Sequence, residues 1–308
     1  MIRRASACGK IILLGEHAVV YGFPALAVPV RSLRTWAELS EGTAPLRIEA
    51  PLIGLGALMR DLPAGHPLAV CVRLAAEALG MTPPGGRLTI TSDIPVASGL
   101  GSGAAVSTAI VRVLASAAGR ILPPAEISRI VFAVEQIYHG TPSGVDNTVI
   151  AHESPIHFRR GEEPEILAVG APAHLLIADC GVHSRTRIAV GGVRDRRDAD
   201  PSRYDGFFRQ IGDLTEEGRG HLESGRIPQL GKTMDRCQEF LRAIEVSTPA
   251  LDRLVDAARS AGACGAKLSG AGLGGNVVTL VDPSLLSAVE TALRASGAVA
   301  VFRTNLEP

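Results

Sequence analysis

Only three lysines occur in these 308 residues, and two of them, Lys10 and Lys267, lie in glycine-rich segments. A lysine is ordinarily a surface residue, but for Lys10 that reading is weakened by the scarcity of lysine and by its apolar flanks, which point to a place that needs one positive charge. Asp146 sits in Thr141-Pro142-Ser143-Gly144-Val145-Asp146-Asn147, just before a short helix. There it reads either as a helix cap or as a base. Glu135 stands at the edge of a helical apolar stripe, where an inward carboxylate must be paired with a cation. It reads either as a solvent-facing residue or as a magnesium ligand, because Mg²⁺ takes few carboxylates and completes its shell with phosphate oxygens and water. Glu16 and His17 follow the first strand, and a lone histidine there is ordinarily a buried, hydrogen-bonded one.

The richest glycine segment is Pro95-Val96-Ala97-Ser98-Gly99-Leu100-Gly101-Ser102-Gly103-Ala104-Ala105. It leaves a predicted strand and opens a predicted helix. Glycines let the backbone approach a ligand closely, and the free N–H groups of a helix start attract an anion. The segment therefore reads as a phosphate cradle, with a tight ligand-free turn as the alternative. Two other glycine runs imitate known loops. Gly225 to Thr233 has five residues between its glycines where a Walker A loop has four, and reads as helix. Gly270-Ala271-Gly272-Leu273-Gly274-Gly275 contains GxGxxG but precedes a strand, whereas a dinucleotide loop precedes a helix.

The elements that must position these residues follow from hydrophobic periodicity. Strands are expected at Ile11–Leu14, Pro24–Val30, Leu33–Ser40, Arg87–Ser92, His174–Cys180, Ala266–Leu268, Asn276–Val281 and Val299–Arg303. Helices are expected at Leu68–Leu79, Gly103–Ala118, after Pro123-Pro124, after Asp146, and over Arg185–Arg194, Arg203–Glu223, Arg226–Ile244, Pro249–Ala261 and Pro283–Ala295. The helix after Pro124 should bury Ile127, Ile130, Val131, Val134 and Ile137. The segment Arg159–Pro172, rich in charge, Gly and Pro, reads as the domain boundary. The class is α/β or α+β with two domains.

Lys plus Arg and Asp plus Glu are both 31, a balance that gives no support for a nucleic-acid partner. Five dispersed cysteines without a CxxC pair suit reduced thiols in a cytoplasm. Apolar runs are too broken for a membrane span.

In order and separation the segments resemble the three motifs of the GHMP kinase superfamily, in their mevalonate-kinase form. Gly9-Lys10-Ile11-Ile12-Leu13-Leu14-Gly15-Glu16-His17-Ala18-Val19-Val20-Tyr21-Gly22 resembles the first, Pro95–Ala105 the second, and Lys267-Leu268-Ser269-Gly270-Ala271-Gly272-Leu273-Gly274-Gly275 the third. Glu135 through Asn147, with His139-Gly140 and Pro142-Ser143-Gly144-Val145-Asp146-Asn147, is similar to the catalytic segment. The resemblance implies a ribosomal protein S5 domain 2-like ATP-binding domain over residues 1–168 and a ferredoxin-like domain over 169–308. It implies ATP and Mg²⁺ as cofactors, and phosphorylation of the mevalonate 5-hydroxyl in isoprenoid precursor synthesis. Other activities weighed are a phosphomevalonate- or homoserine-kinase-like one and a non-catalytic ATP-binding role. The assembly expectation leaves room for a homodimer.

By the same resemblance Asp146 is the general base and Lys10 its partner. Pro95, Ala97, Ser98, Gly99, Leu100, Gly101, Ser102, Gly103 and Ala104 bind ATP. Glu16, His17, Thr186, Gly270 and Ala271 bind substrate, and Glu135 and Ser102 hold the metal. The chain departs from the motif at Gly103, where the family has a metal-ligating serine. Three readings are open: a water replaces the hydroxyl, Ser102 turns inward, or magnesium binds more weakly. Asn276, where small residues are common, has no role in this reading.

Overall fold

The structure is a computed structural model that describes residues 1–96, 98–139, 142–182 and 186–308. The chain forms two compact units, each drawn from several stretches of sequence.

The first unit comprises Met1–Lys10, Leu33–Val96 and Leu100–Glu153. It takes its strands from β1 (Ile2–Leu14) and β2 (Ala25–Glu41), both of which continue into the second unit, and from β3 (Arg47–Ala50), β4 (Leu55–Leu58) and β5 (Gly86–Ser92). β1 pairs with β2. β2 pairs antiparallel with β5 in a register that sets Thr35 opposite Ser92, β5 lies parallel to β3, and β3 is antiparallel to β4. Helices α1 (Pro67–Ala78), α2 (Ser102–Ala117), α3 (Pro124–His139) and α4 (Val145–His152) complete it. α2 buries Ala104, Ala105, Ile110, Val113 and Leu114. Small residues at its start let it pack closely before the larger ones fill the core. α4 is held to α3 by polar hooks: Asn147 Nδ2 donates to Ser128 Oγ at 2.8 Å, and Thr148 Oγ1 lies 3.2 Å from the same hydroxyl oxygen.

The second unit comprises Ile11–Ser32, Ala97–Gly99 and Ser154–Pro308. In it β6 (Ile156–Phe158) pairs with the start of β2 and with β7 (Glu165–Ile166). Strands β8 (Ala173–Asp179), β9 (Gly265–Ser269), β10 (Asn276–Val281) and β11 (Ala300–Leu306) form an antiparallel sheet in the order β11-β8-β10-β9. Helices α5 (Thr186–Ala199), α6 (Pro201–Glu223), α7 (Ile227–Ala243), α8 (Pro249–Ser260) and α9 (Leu286–Ala295) accompany it. Every residue of β9 and β10 is buried, and their runs are continuous rather than alternating, as expected for strands covered on both faces. Among the described residues no helix is long and apolar enough to cross a membrane.

Several expectations change, beginning with β1, which starts at Ile2 rather than Ile11, and with β6 and β7, which fall where no strand was expected. The strands expected at Pro24–Val30 and Leu33–Ser40 are one, β2: the exposed Arg31 and Ser32 break the apolar pattern but not the backbone pairing. β3 and β4 lie in a Gly- and Pro-punctuated stretch with no expected strand. Ile137 is 52% exposed, whereas Ile127, Ile130, Val131 and Val134 are buried as expected.

The Walker-like Gly231-Lys232-Thr233 lies inside α7, as its Pro228 and spacing suggested. Gly231 serves packing instead. A Cβ there would stand 2.3 Å from Cys264 O, and one on Gly265 would stand 2.0 Å from Gly231 O, so helix and strand meet backbone to backbone. Gly231→Ala should therefore destabilise the protein by about 1–3 kcal/mol, the usual range of core overpacking. Thermal unfolding checks this; an unchanged Tm would show that α7 can move away from β9 freely.

Candidate active site

In the first unit the site begins with Lys10. Its side chain is 5% exposed, and a buried ammonium needs an anion and hydrogen bonds. Asp146 supplies the anion: Oδ1 accepts from Lys10 Nζ at 2.9 Å, with the carboxylate itself 35% exposed. The cap reading of Asp146 fails, because Gly144 with φ 95° is the N-cap of α4 and Asp146 lies in the first turn. Asp146 therefore has one side toward Lys10 and another toward solvent, where a small molecule can reach it.

The glycine loop closes on the same lysine. Lys10 N donates to Leu100 O at 3.0 Å. A Cβ on Gly101 would stand 2.8 Å from Ile150 Cδ1 and 2.9 Å from Lys10 Cγ, and its φ of 75° is left-handed, so glycine is required there on both counts. Gly101 is the N-cap of α2 with no side-chain cap. The first N–H groups of α2, at Ser102, Gly103 and Ala104, thus lack intrahelical acceptors and form an anion-attracting start. Leu100 and Ala104 are buried, Pro95 and Ser102 partly so, and Ala97 lies outside the described residues.

Glu135 is 7% exposed on α3, facing inward rather than toward solvent. Its carboxyl is pushed up to about 7, first by burial and then by repulsion from Asp146, with Lys10 opposing. Its Oε1 stands 3.1 Å from where a Cβ on Gly103 would be. Two nearby carboxylates of which one is reluctant to ionise form a donor set that a divalent cation would relieve. Among the described residues no three His, Cys, Asp or Glu side chains gather as a metal site.

A second cluster lies in the second unit. Gly15 turns the chain after β1, where a Cβ would stand 2.4 Å from Pro24 O. Glu16 and Lys267 then form an ion pair in which both side chains are wholly buried, and Lys267 Nζ also donates to Leu268 O at 2.6 Å. Removing one partner would leave the other charge buried alone, at a cost of about 3–5 kcal/mol. His17 Nε2 lies 2.9 Å from Ala271 O, so that nitrogen carries the proton and donates. Burial brings the imidazole down to about 4, and it is neutral near pH 7. Its Nδ1 is then an acceptor, buried with no hydrogen-bond partner among the described residues. Ser269 Oγ donates to Ile12 O at 2.8 Å and accepts from Ile12 N at 3.2 Å, a further tie between the third glycine segment and β1. Gly270 has φ 92° in the same segment. Thr186 opens α5 with its side chain exposed, while Ser184 and Arg185 before it, like Gly140 and Thr141, lie outside the described residues.

Sequence reasoning missed two residues. The scarcity of lysine signalled Lys267, though not its buried partner. The sequence marked Asn276 only as standing where small residues are common and gave it no role; its Nδ2 donates to Ser98 O.

Comparison with known proteins agrees with this geometry. The chain matches the family described as GHMP kinases N terminal domain over residues 67–153, and that described as GHMP kinases C terminal over 220–299. A mevalonate kinase of Aeropyrum pernix is 36% identical over 95% of this chain and 94% of its own. One of Thermococcus gammatolerans is 35% identical over 95% of this chain and 93% of its own. The crystal structure of L. major mevalonate kinase in complex with R-mevalonate superposes with a TM-score of 0.86 at 26% identity, covering 99% of this chain and 96% of that one. With relatives so similar over nearly its whole length, this chain belongs to the GHMP kinases, among the mevalonate kinases.

Proposed function

We propose that this chain transfers the γ-phosphoryl group of ATP to the 5-hydroxyl of mevalonate, giving 5-phosphomevalonate and ADP for isoprenoid precursor synthesis. The observation that carries the reading is the Asp146 carboxylate, half open to solvent, held 2.9 Å from a buried lysine. The relatives named as mevalonate kinases, matched over nearly their full length, support the choice of alcohol.

In this reading Asp146 accepts the proton of the 5-hydroxyl through a carboxylate oxygen as the O–P bond forms. Lys10 keeps Asp146 in place and offers its charge to the oxygen losing the proton. The open N–H groups at the start of α2 bind the phosphates and hold the donor still. Glu135, with Ser102 beside Gly103, would hold Mg²⁺, which when bound neutralises charge on the β- and γ-phosphates. His17 offers its Nδ1 lone pair to a substrate hydroxyl. Glu16 supports that turn through Lys267, and the third glycine segment carries Gly270 and Ala271 beside it. Thr186 is the remaining substrate contact in this scheme. The chemistry is therefore mostly positioning and electrostatics.

Four outcomes are expected. In an ADP-release assay with mevalonate, phosphomevalonate and homoserine, mevalonate should turn over fastest; turnover of another alcohol alone would end the assignment. Asp146→Asn should lower kcat on the order of 10³-fold, within the range for a lost general base, with ATP affinity little changed.

The metal dependence should follow Glu135. A carboxyl titrating near 7 is protonated below that pH, and a protonated carboxyl does not ligate a cation. The Mg²⁺ concentration for half-maximal rate should thus rise as pH falls from 8 to 6, with Asp146 and Lys10 the charges facing it. A flat profile would remove Glu135 from the metal site. Gly103→Ser should lower the Mg²⁺ requirement, because only the movable end of Glu135 lies near the added atom; an unchanged or higher requirement would show that the missing hydroxyl is not what limits metal binding.

A further inference from the structure

Asn276 is the first residue of β10, set opposite Asp179 of β8 and Ser269 of β9, so strands on both sides fix its backbone. Its side chain is buried, and the residue is 1% exposed. Nδ2 donates to the carbonyl of Ser98, in the second glycine segment, and lies 3.8 Å from where a Cβ on Gly99 would be. The carbonyl can only accept, which fixes the amide orientation. Oδ1 is buried with no hydrogen-bond partner among the described residues. A half-satisfied buried amide costs more than a small apolar side chain of similar volume would. For core packing alone, Asn is a poor choice at this position; what it supplies is a donor.

That donor has a consequence for the loop. The Ser98–Gly99 peptide bond is trans, so the Ser98 carbonyl and the Gly99 N–H point in opposite directions. Gly99, at φ 80°, has the freedom that would let this peptide flip. A flipped peptide would turn the carbonyl oxygen, negative, toward a bound phosphate and withdraw the N–H. With the carbonyl tied to Asn276, the N–H stays turned away from β10.

We propose that Asn276 is a positioning residue of the phosphate loop: by holding the Ser98 carbonyl it keeps the Gly99 N–H available to a phosphate of the bound nucleotide. Ser98, Gly99 and Asn276 belong to the same compact unit, so the arrangement is local. The inference rests on the reading of this loop as the nucleotide's phosphate site.

The test compares full-length wild type with Asn276→Asp and Asn276→Ala, using ADP and adenosine as probes. Both variants remove the donor, and the carboxylate of Asn276→Asp also repels the carbonyl and the phosphates. ADP affinity should fall about tenfold in Asn276→Ala, as for one lost hydrogen bond plus an unsatisfied partner, and further in Asn276→Asp. Adenosine and mevalonate affinities should stay within twofold, and the KM for ATP should rise more than kcat falls. Equal losses for adenosine and ADP would mean a merely structural role, and unchanged ADP affinity would remove the role altogether; either result overturns the proposal. Should neither variant fold, wild type alone decides: ADP should move the Gly99 amide proton downfield and adenosine should not, and no ADP shift overturns the proposal. The ADP and adenosine measurements do not depend on the acceptor alcohol. A wild type that ignores mevalonate would sink the proposed function and leave this inference to be judged separately.

Discussion

The constraint on which the site depends is the burial of Lys10. An ammonium 5% exposed is tolerable only with a carboxylate against it, and Asp146 is that carboxylate. Everything near the pair serves the same arrangement. β1 brings Lys10 in, α4 brings Asp146 in, and the hydrogen bonds of Asn147 and Thr148 with Ser128 of α3 keep α4 from turning away. Gly101 has no side chain because Lys10 and Ile150 fill the place where one would go. Glu135, next to this pair but deprived of water, is left reluctant to ionise. A carboxyl that resists ionisation beside a carboxylate paired to a fixed cation is a common basis for acid–base and metal chemistry.

Two other buried features apply the same rule in the second unit. Lys267 and Glu16 neutralise each other where no water reaches, and His17 avoids charge altogether by staying neutral. The third glycine segment is tied down at Lys267, Ser269 and Ala271, so it is a fixed support despite its glycines. Glycine here allows close approach more than movement: at Gly272 a Cβ would lie 2.4 Å from Val246 O.

Much of this was legible in the sequence. Long periodic segments such as Leu68–Leu79 and Arg203–Glu223 announced their helices, and continuous apolar runs announced β8 and β10. The pairing of Lys10 with Asp146 was expected from motif resemblance, since 135 intervening positions carry no distance information by themselves. What stayed hidden was set by tertiary context. β3 and β4 are too short to show a period; β3 depends on β5 beside it, and β4 on β3. Arg31 and Ser32 disguised a continuous strand because pairing is a backbone property. Glu135 could face either way until α4 was packed against α3. The role of Asn276 depends on a loop that approaches from far along the chain, so no local pattern could disclose it.

The central claim is that Lys10 and Asp146 act as one unit on the substrate alcohol. A double-mutant cycle of Lys10→Met and Asp146→Asn, read as kcat for mevalonate phosphorylation, tests it most directly. Groups that act together lose their effect together. The double variant should be about as slow as the slower single variant. Losses that multiply, each independent of the other, would contradict the account.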